Sequence, residues 1–264
     1  MRNLIRFSFL AIAITVSGSA IGQASSSQSK AVAEIFQSEN IVATLVVASA
    51  NAEVAHVYNK SRSIERFSPA STFKIPNTLI ALETGVVESK ETIFRWDGTD
   101  KGLPQWNSDQ TLASALKVSC VWCYQEVARK VGREKYETVL AQTGYGNHST
   151  GSQVDIFWLN GDLRISASEQ VDFLRRLYDY ELPLRDEHID ELKDIMLVEK
   201  SARYSLYAKS GWATTTPQVG WYVGFVETGT QTWFFAMNMQ VDTREQVGLR
   251  KELTLASLQA LGII

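Results

Sequence analysis

Pro69-Ala70-Ser71-Thr72-Phe73-Lys74-Ile75-Pro76 opens the stretch on which the reading of this chain turns. From Ser71 to Thr84 the apolar residues Phe73, Ile75, Leu79, Ile80 and Leu82 recur with a helical period, and Gly85 stands at the stop. Residues three apart at a helix start share one face, so the Ser71 hydroxyl and the Lys74 amine come within hydrogen-bonding reach. Serine is a poor nucleophile until a base takes its proton. A lysine can be that base only if it is neutral, or chemically converted, near pH 7. The helix start adds free N–H groups and a positive field for a developing oxyanion. The same letters also describe an N-cap serine with a solvated lysine one turn on, so the pair needs support from elsewhere in the chain.

Other chemistries are short of residues. The three histidines, His56, His148 and His188, stand apart from one another and from any cysteine at ligand spacing, which argues against a zinc hydrolase and leaves no expected metal. None has the surroundings of a Ser-His-Asp triad. Gly144-Tyr145-Gly146 is too short for a phosphate loop. The net charge is -3 with both signs mixed along the chain, unlike the basic stripe of a nucleic-acid binder or the charge block of a membrane-surface patch. Of the 264 residues 45% are hydrophobic and 21% charged, ordinary for a soluble globular protein with a sizeable core.

Two triplets support the pair. Lys209-Ser210-Gly211 closes a predicted strand: its lysine can meet a substrate carboxylate, and its glycine lets a substrate lie close to the strand edge. Ser119-Cys120-Val121 begins a predicted helix between the other two motifs, where its serine can relay a proton; alone it reads equally as another N-cap. Strand patterns lie at 42–48 and 53–58, joined as a hairpin around Asn51, and again at 204–209, 220–226 and 232–241. Helical patterns run from 111–116, 121–131, 133–143, 168–180, 186–198 and 249–261, with a further start at 31–36 behind a polar leader, 25–30. Strands at both ends with helices between predict an α/β (α+β) fold: one antiparallel sheet from both chain ends flanked by helices, plus a mainly helical lobe.

The first residues read as a secretory signal. Arg2 and Arg6 precede an apolar run, 7–16, and then small residues. Ten residues are too few to span roughly 30 Å of hydrocarbon as a helix. Cleavage after Ala20 or after Ala24 fits equally, leaving 25–264 as a single catalytic domain, exported and not held at a membrane. The only cysteines, Cys120 and Cys123, form no disulfide framework. They read as small apolar side chains of a buried helix, and whether an oxidising compartment joins them stays open.

S-x-x-K followed by K-[ST]-G is the signature of serine β-lactamases and penicillin-binding proteins. In detail the chain resembles the class D, oxacillinase-type β-lactamases from about Val42 to its end. The nucleophile segment 69–76 matches theirs almost letter for letter. So do Ser119-Cys120-Val121 as S-x-V, Tyr145-Gly146-Asn147, Phe157-Trp158-Leu159 with 163–167, the late strand 220–227, and Gly248-Leu249-Arg250. Ser210 replaces the commoner threonine, and the two cysteines replace other apolar residues. The segment 213–218 varies in the family with substrate range.

The resemblance implies a role for each position. Lys74 carries a carbamate formed from CO2 or bicarbonate, an N6-carboxylysine, and this rather than a free amine is the general base; no other cofactor is implied. Val121 and Trp158 furnish its pocket, with the Trp158 indole N–H holding it. Ser119 passes a proton to the β-lactam nitrogen. Lys209 and Arg250 hold the substrate carboxylate, and Ser210 and Gly211 belong to the substrate-binding strand. The backbone N–H groups of Ser71 and Trp212, beyond Gly211, form the oxyanion hole, and Trp106 and Leu159 line the entrance. The expected partner is a small β-lactam and no nucleic acid, and the chain is a monomer or a homodimer. Hydrolysis of penicillins and oxacillins, and hence resistance, is the leading expectation; secretion, to the periplasm in a Gram-negative source, goes with it. Its rivals are a β-lactam sensor domain that stays acylated, and a penicillin-binding peptidase, which S-x-V and Trp158 disfavour.

Overall fold

The computed structural model describes residues 24–50 and 54–264. The expected leader, all but Ala24, and the turn at Asn51 lie outside them.

The chain starts with α1 (Ser26–Ser38), and here the expected polar leader is corrected. Ser25 caps the helix and exchanges hydrogen bonds with Gln28 in a capping box, so the Ser-rich stretch begins the helix instead of preceding it. Two strands follow, β1 (Ala43–Ser49) and β2 (Val54–Tyr58), then the short α2 (Lys60–Ser63). The nucleophile stretch forms a 3-10 turn, Ala70–Phe73, that runs into α3 (Lys74–Glu83). A two-stranded sheet, β3 (Ile93–Phe94) with β4 (Gln110–Thr111), was not legible in the sequence. Helices α4 (Leu112–Lys117), α5 (Val121–Val131), α6 (Arg133–Thr143), α7 (Phe157–Asn160), α8 (Ala167–Tyr178) and α9 (Asp186–Met196) fill the middle.

Strands β5 (Leu197–Lys200), β6 (Tyr204–Ala213), β7 (Val219–Thr228) and β8 (Thr232–Gln240) lead to α10 (Leu249–Ala260). The six-stranded sheet has the order β2-β1-β8-β7-β6-β5 and is antiparallel throughout. The first strand therefore pairs with the last, from Ala43 opposite Met239 to Ser49 opposite Trp233. Successive side chains of β1 alternate between two cores. Leu45 and Val47 face α1 and α10, with Phe36, Met237 and Leu258. Val46 and Ala48 face the helical side, with Phe73, Trp158 and Phe225.

Two boundaries differ from expectation. Lys209-Ser210-Gly211 lies inside β6 and not at its end, because pairing with β7 continues to Ala213 opposite Val219. The helix expected to reach Val198 stops at Met196, and the next four residues form the edge strand β5. β5 pairs with β6 only as far as Tyr207. Beyond that point β6 has β7 on one side and an open edge on the other, and the open edge carries the Lys209 triplet.

Candidate active site

The 3-10 turn and α3 put Ser71 and Lys74 on one face, and Lys74 Nζ donates to Ser71 Oγ at 3.0 Å. Ala70, just before the serine, has φ +46°, a left-handed conformation that a residue with a side chain adopts only when its surroundings enforce it. Those surroundings are rigid. Phe67 forms a two-way backbone bridge with Ile165, and Ser68 Oγ donates to the Trp158 carbonyl at 2.8 Å. From β7, Trp221 Nε1 donates to the Ser68 carbonyl at 2.9 Å. The stretch before the nucleophile is thus tied to the segment that carries Trp158.

Lys74 is fully buried and has no carboxylate against it among the described residues. Its Nζ lies 5.2 Å from the centre of the Tyr124 ring. Burial, and after it the positive charge of Lys209, holds its pKa well below the usual lysine value and favours the neutral amine. Phe73, Tyr136, Phe157 and Trp158 stack or meet edge-on nearby, with Phe73 and Trp158 stacked at 5.5 Å. Trp158 is also fully buried, and its indole N–H has no acceptor among the described residues. A buried donor left unpaired costs about 1–3 kcal/mol, so this one marks a place where an acceptor belongs.

Across the cleft, Lys209 is 4% exposed and makes two polar contacts: its Nζ donates to Ser119 Oγ at 2.5 Å and to the Ser210 carbonyl at 2.9 Å. Burial and the charge of Arg250 push its pKa down to about 7. Arg250, in the first turn of α10, donates Nη1 to the Val247 carbonyl, while its buried Nε has no partner. Ser119 is not the N-cap that its spacing allowed. It takes φ +55°, and Cys120 caps α5 instead, its sulfur accepting from Cys123 N–H at 3.3 Å. The two cysteines are joined by a disulfide.

Gly211 is required by close approach. A Cβ there would lie 2.9 Å from the Pro69 carbonyl oxygen and 3.2 Å from Thr72 N. β6 therefore lies directly against the nucleophile turn, with Trp212 next along the strand. The N–H of Ser71 belongs to the start of that turn, where helical N–H groups have no intrahelical acceptor.

A cleft of about 760 Å³ joins these parts. Ser71, Trp106, Ser119, Val121, Leu159, Ser210, Gly211, Trp212 and Arg250 all line it, and Lys74 and Trp158 lie buried below. Every site residue named from the sequence is therefore gathered at one place. A second cavity of about 610 Å³ continues past Lys209 and shares Lys117, Ser210 and Arg250 with the first. Sequence reasoning missed Leu103, Gln105, Lys117, Thr214 and Arg244 in the cleft wall, and Tyr124 beside Lys74. It also missed Trp122, whose Nε1 donates to the Trp106 carbonyl at 3.0 Å. No local pattern distinguishes these residues from their neighbours. Among the described residues no three His, Cys, Asp or Glu side chains gather as a metal site, and no helix is long and apolar enough to cross a membrane.

Comparison with known proteins places this arrangement. Residues 22–258 match the family model of the penicillin binding protein transpeptidase domain. Beta-lactamase OXA-48 of Klebsiella pneumoniae is 42% identical over 221 residues, 83% of each chain. Beta-lactamase OXA-20 of Pseudomonas aeruginosa is 41% identical over 232 residues, 87% of this chain and 86% of its own. Among solved structures, the class D β-lactamase YbXI from Nostoc superposes with a TM-score of 0.86 at 39% identity, covering 88% of this chain and 99% of its own.

Proposed function

Since the chain belongs to the class D β-lactamases, serine hydrolases that open β-lactam rings, we propose a division of labour among its residues for hydrolysing penicillin- and oxacillin-type antibiotics. Ser71 is the nucleophile. Its Oγ attacks the lactam carbonyl carbon, and the carbonyl oxygen turns toward the N–H groups of Ser71 and Trp212. The C–N bond then breaks, Ser119 Oγ delivers a proton to the departing nitrogen, and Lys209 behind it replaces that proton and recovers its own from the base, which had taken it from Ser71. Water next adds to the ester, the penicilloate leaves, and Ser71 is restored. The charges of Lys209 and Arg250, with the Ser210 hydroxyl, hold the substrate carboxylate, while Trp106 and Leu159 flank the entrance.

The base resides at Lys74. A neutral amine in a buried pocket is the form that adds CO2, and the unpaired N–H of Trp158, whose ring stacks on Phe73 next to Lys74, is the one observation that carries this reading, because it is a buried donor that a carbamate oxygen would satisfy. A carbamate on Lys74 supplies an anionic oxygen that can accept the proton of Ser71 and, later, that of the attacking water. Val121 closes the pocket from the cleft side. A leader within residues 1–24, cut after Ala20 or after Ala24, directs export of the single catalytic domain, to the periplasm in a Gram-negative source.

The test is kinetic. Purified protein mixed with a chromogenic β-lactam should turn over many times per molecule, lose activity when bicarbonate is stripped, and regain it when bicarbonate is returned. A single burst would assign the chain to the sensor type, and full activity without bicarbonate would remove the carbamate.

A further inference from the structure

The mechanism above leaves the Cys120–Cys123 disulfide without a task. Both residues are fully buried. The bond closes a four-residue ring around the first turn of α5, with Val121 and Trp122 inside it. The first turn of a helix has the fewest intrahelical hydrogen bonds and frays most readily.

Three parts of the cleft leave from this ring. Immediately before it stands Ser119 in its left-handed conformation, its N–H on the Leu116 carbonyl at 3.2 Å, with Cys120 N–H on the Ala115 carbonyl at 2.8 Å. Inside it, Val121 lines the cleft. Trp122 holds the Trp106 carbonyl, and Trp106 Nε1 returns to the Val118 carbonyl at 2.9 Å. The proton donor, the pocket wall and the entrance wall all depend on one helical turn staying wound.

We propose that the Cys120–Cys123 disulfide is a positioning clamp: it fixes the first turn of α5 so that Ser119, Val121 and Trp106 keep their working places. The cysteines touch no substrate and act through those three residues. The clamp rests on the catalytic roles proposed above. Because both sulfurs are out of reach of solvent, the bond forms as the chain folds and small thiols do not exchange it in the native protein.

The decisive variant is Cys120→Ser/Cys123→Ala, which keeps an oxygen at the N-cap and removes only the link. It should have the parent's circular dichroism, and KM should change less than kcat, since Arg250 and the Lys209 contact with the Ser210 carbonyl lie outside α5. Its kcat on a chromogenic penicillin should fall about tenfold, as expected when catalytic groups shift by a fraction of an ångström. It should also need more bicarbonate for half-maximal activity, because Val121 moves. A bond with only a structural role would lower the melting temperature and leave kcat and the bicarbonate requirement alone, which would overturn the clamp.

A second measurement covers a variant that does not fold. Parent protein produced under a water-soluble phosphine, which reduces the bond to two thiols and becomes the phosphine oxide, should titrate two thiols and turn over slowly. Unfolded and then refolded with oxidised glutathione, which reaches the sulfurs only in the unfolded chain, the protein should lose both thiols and regain kcat. Full kcat in the reduced parent would sink the idea. Failure of the oxidised parent to turn over any β-lactam would instead strike the catalytic reading. Turnover without bicarbonate dependence would strike the carbamate alone and leave the clamp to be judged on kcat.

Discussion

Lys74 lies buried behind Ser71 and Lys209 lines the cavity that adjoins the cleft, and both amines are buried, but their surroundings differ in kind. Lys74 has one hydroxyl acceptor and the face of Tyr124, and its neighbour Phe73 stacks on Trp158, whose indole N–H is unpaired among the described residues. Lys209 has a hydroxyl and a backbone carbonyl to donate to, beside the Arg250 guanidinium. Desolvation disfavours the charged form of both. Where acceptors remain, protonation stays within reach of neutral pH, and the amine can serve as a charge for an anionic substrate. Where only one acceptor is at hand, the neutral amine is favoured, the form that the proposed carbamate requires. On the proposed mechanism one residue type thus serves as a base site and as an anion site through the polarity of its walls.

The most severe way to break this comparison is to remove the Lys74 amine. Lys74→Ala should lower turnover by about ten-thousandfold, the scale seen when a member of a catalytic unit is deleted, and added bicarbonate should not restore it. A chromogenic assay across bicarbonate concentrations decides, and parental activity in the variant would remove Lys74 from the mechanism.

A milder change keeps the amine and alters its wall. Trp158→Phe retains the ring packing but lacks the N–H. Deacylation should slow about a hundredfold, the cost of losing one preorganised donor, and acylation should suffer less. Intact-mass spectrometry should then find the acyl-enzyme accumulating. If none accumulates and turnover is parental, the indole N–H has no part in holding the base.

The smallest effect sharpens the other half of the pair. With its pKa near 7, Lys209 is charged below that pH and neutral above it. KM for a penicillin should therefore rise severalfold from about pH 6 to about pH 8 as the cation is lost, and Lys209→Met should flatten that rise. Stability runs the other way. Between about 7 and 10.5 the unfolded chain binds a proton at this position that the folded protein does not, so Lys209 makes stability increase with pH across that window. The methionine variant should lack this slope in thermal melts, and an unchanged slope would place the titration elsewhere.

Much of this site was legible because its residues fall in short motifs whose internal spacing is enforced by local geometry. Ser71 and Lys74 meet because they are three apart on one turn, a fact independent of the rest of the fold. The sheet from both chain ends was equally readable from strands at 42–48 and 220–241. Harder were features decided by partners far along the chain. Residues 197–200 continue the helical pattern of α9, and only pairing with β6 makes them a strand. Ser210-Gly211 suggests a turn, yet β7 holds the stretch extended to Ala213. The disulfide was left open, since a C-x-x-C spacing suits a bonded pair and an apolar pair alike. Trp122 and Tyr124 bear on the site only through what α5 packs against.

The place of β1 in the sheet has a consequence for how the protein comes into being. Hairpins β6–β7 and β7–β8 close from neighbouring residues, but β1 lies between β2 and β8 and waits for a partner almost two hundred positions away. Such pairings carry a long loop to be closed and make folding slow. A nascent chain that has delivered only its N-terminal part therefore offers β1 with an unsatisfied edge, a template for pairing with other chains. Folding is a property of the finished polypeptide, and a message cut short before β8 yields a sticky sheet fragment instead of a weaker enzyme.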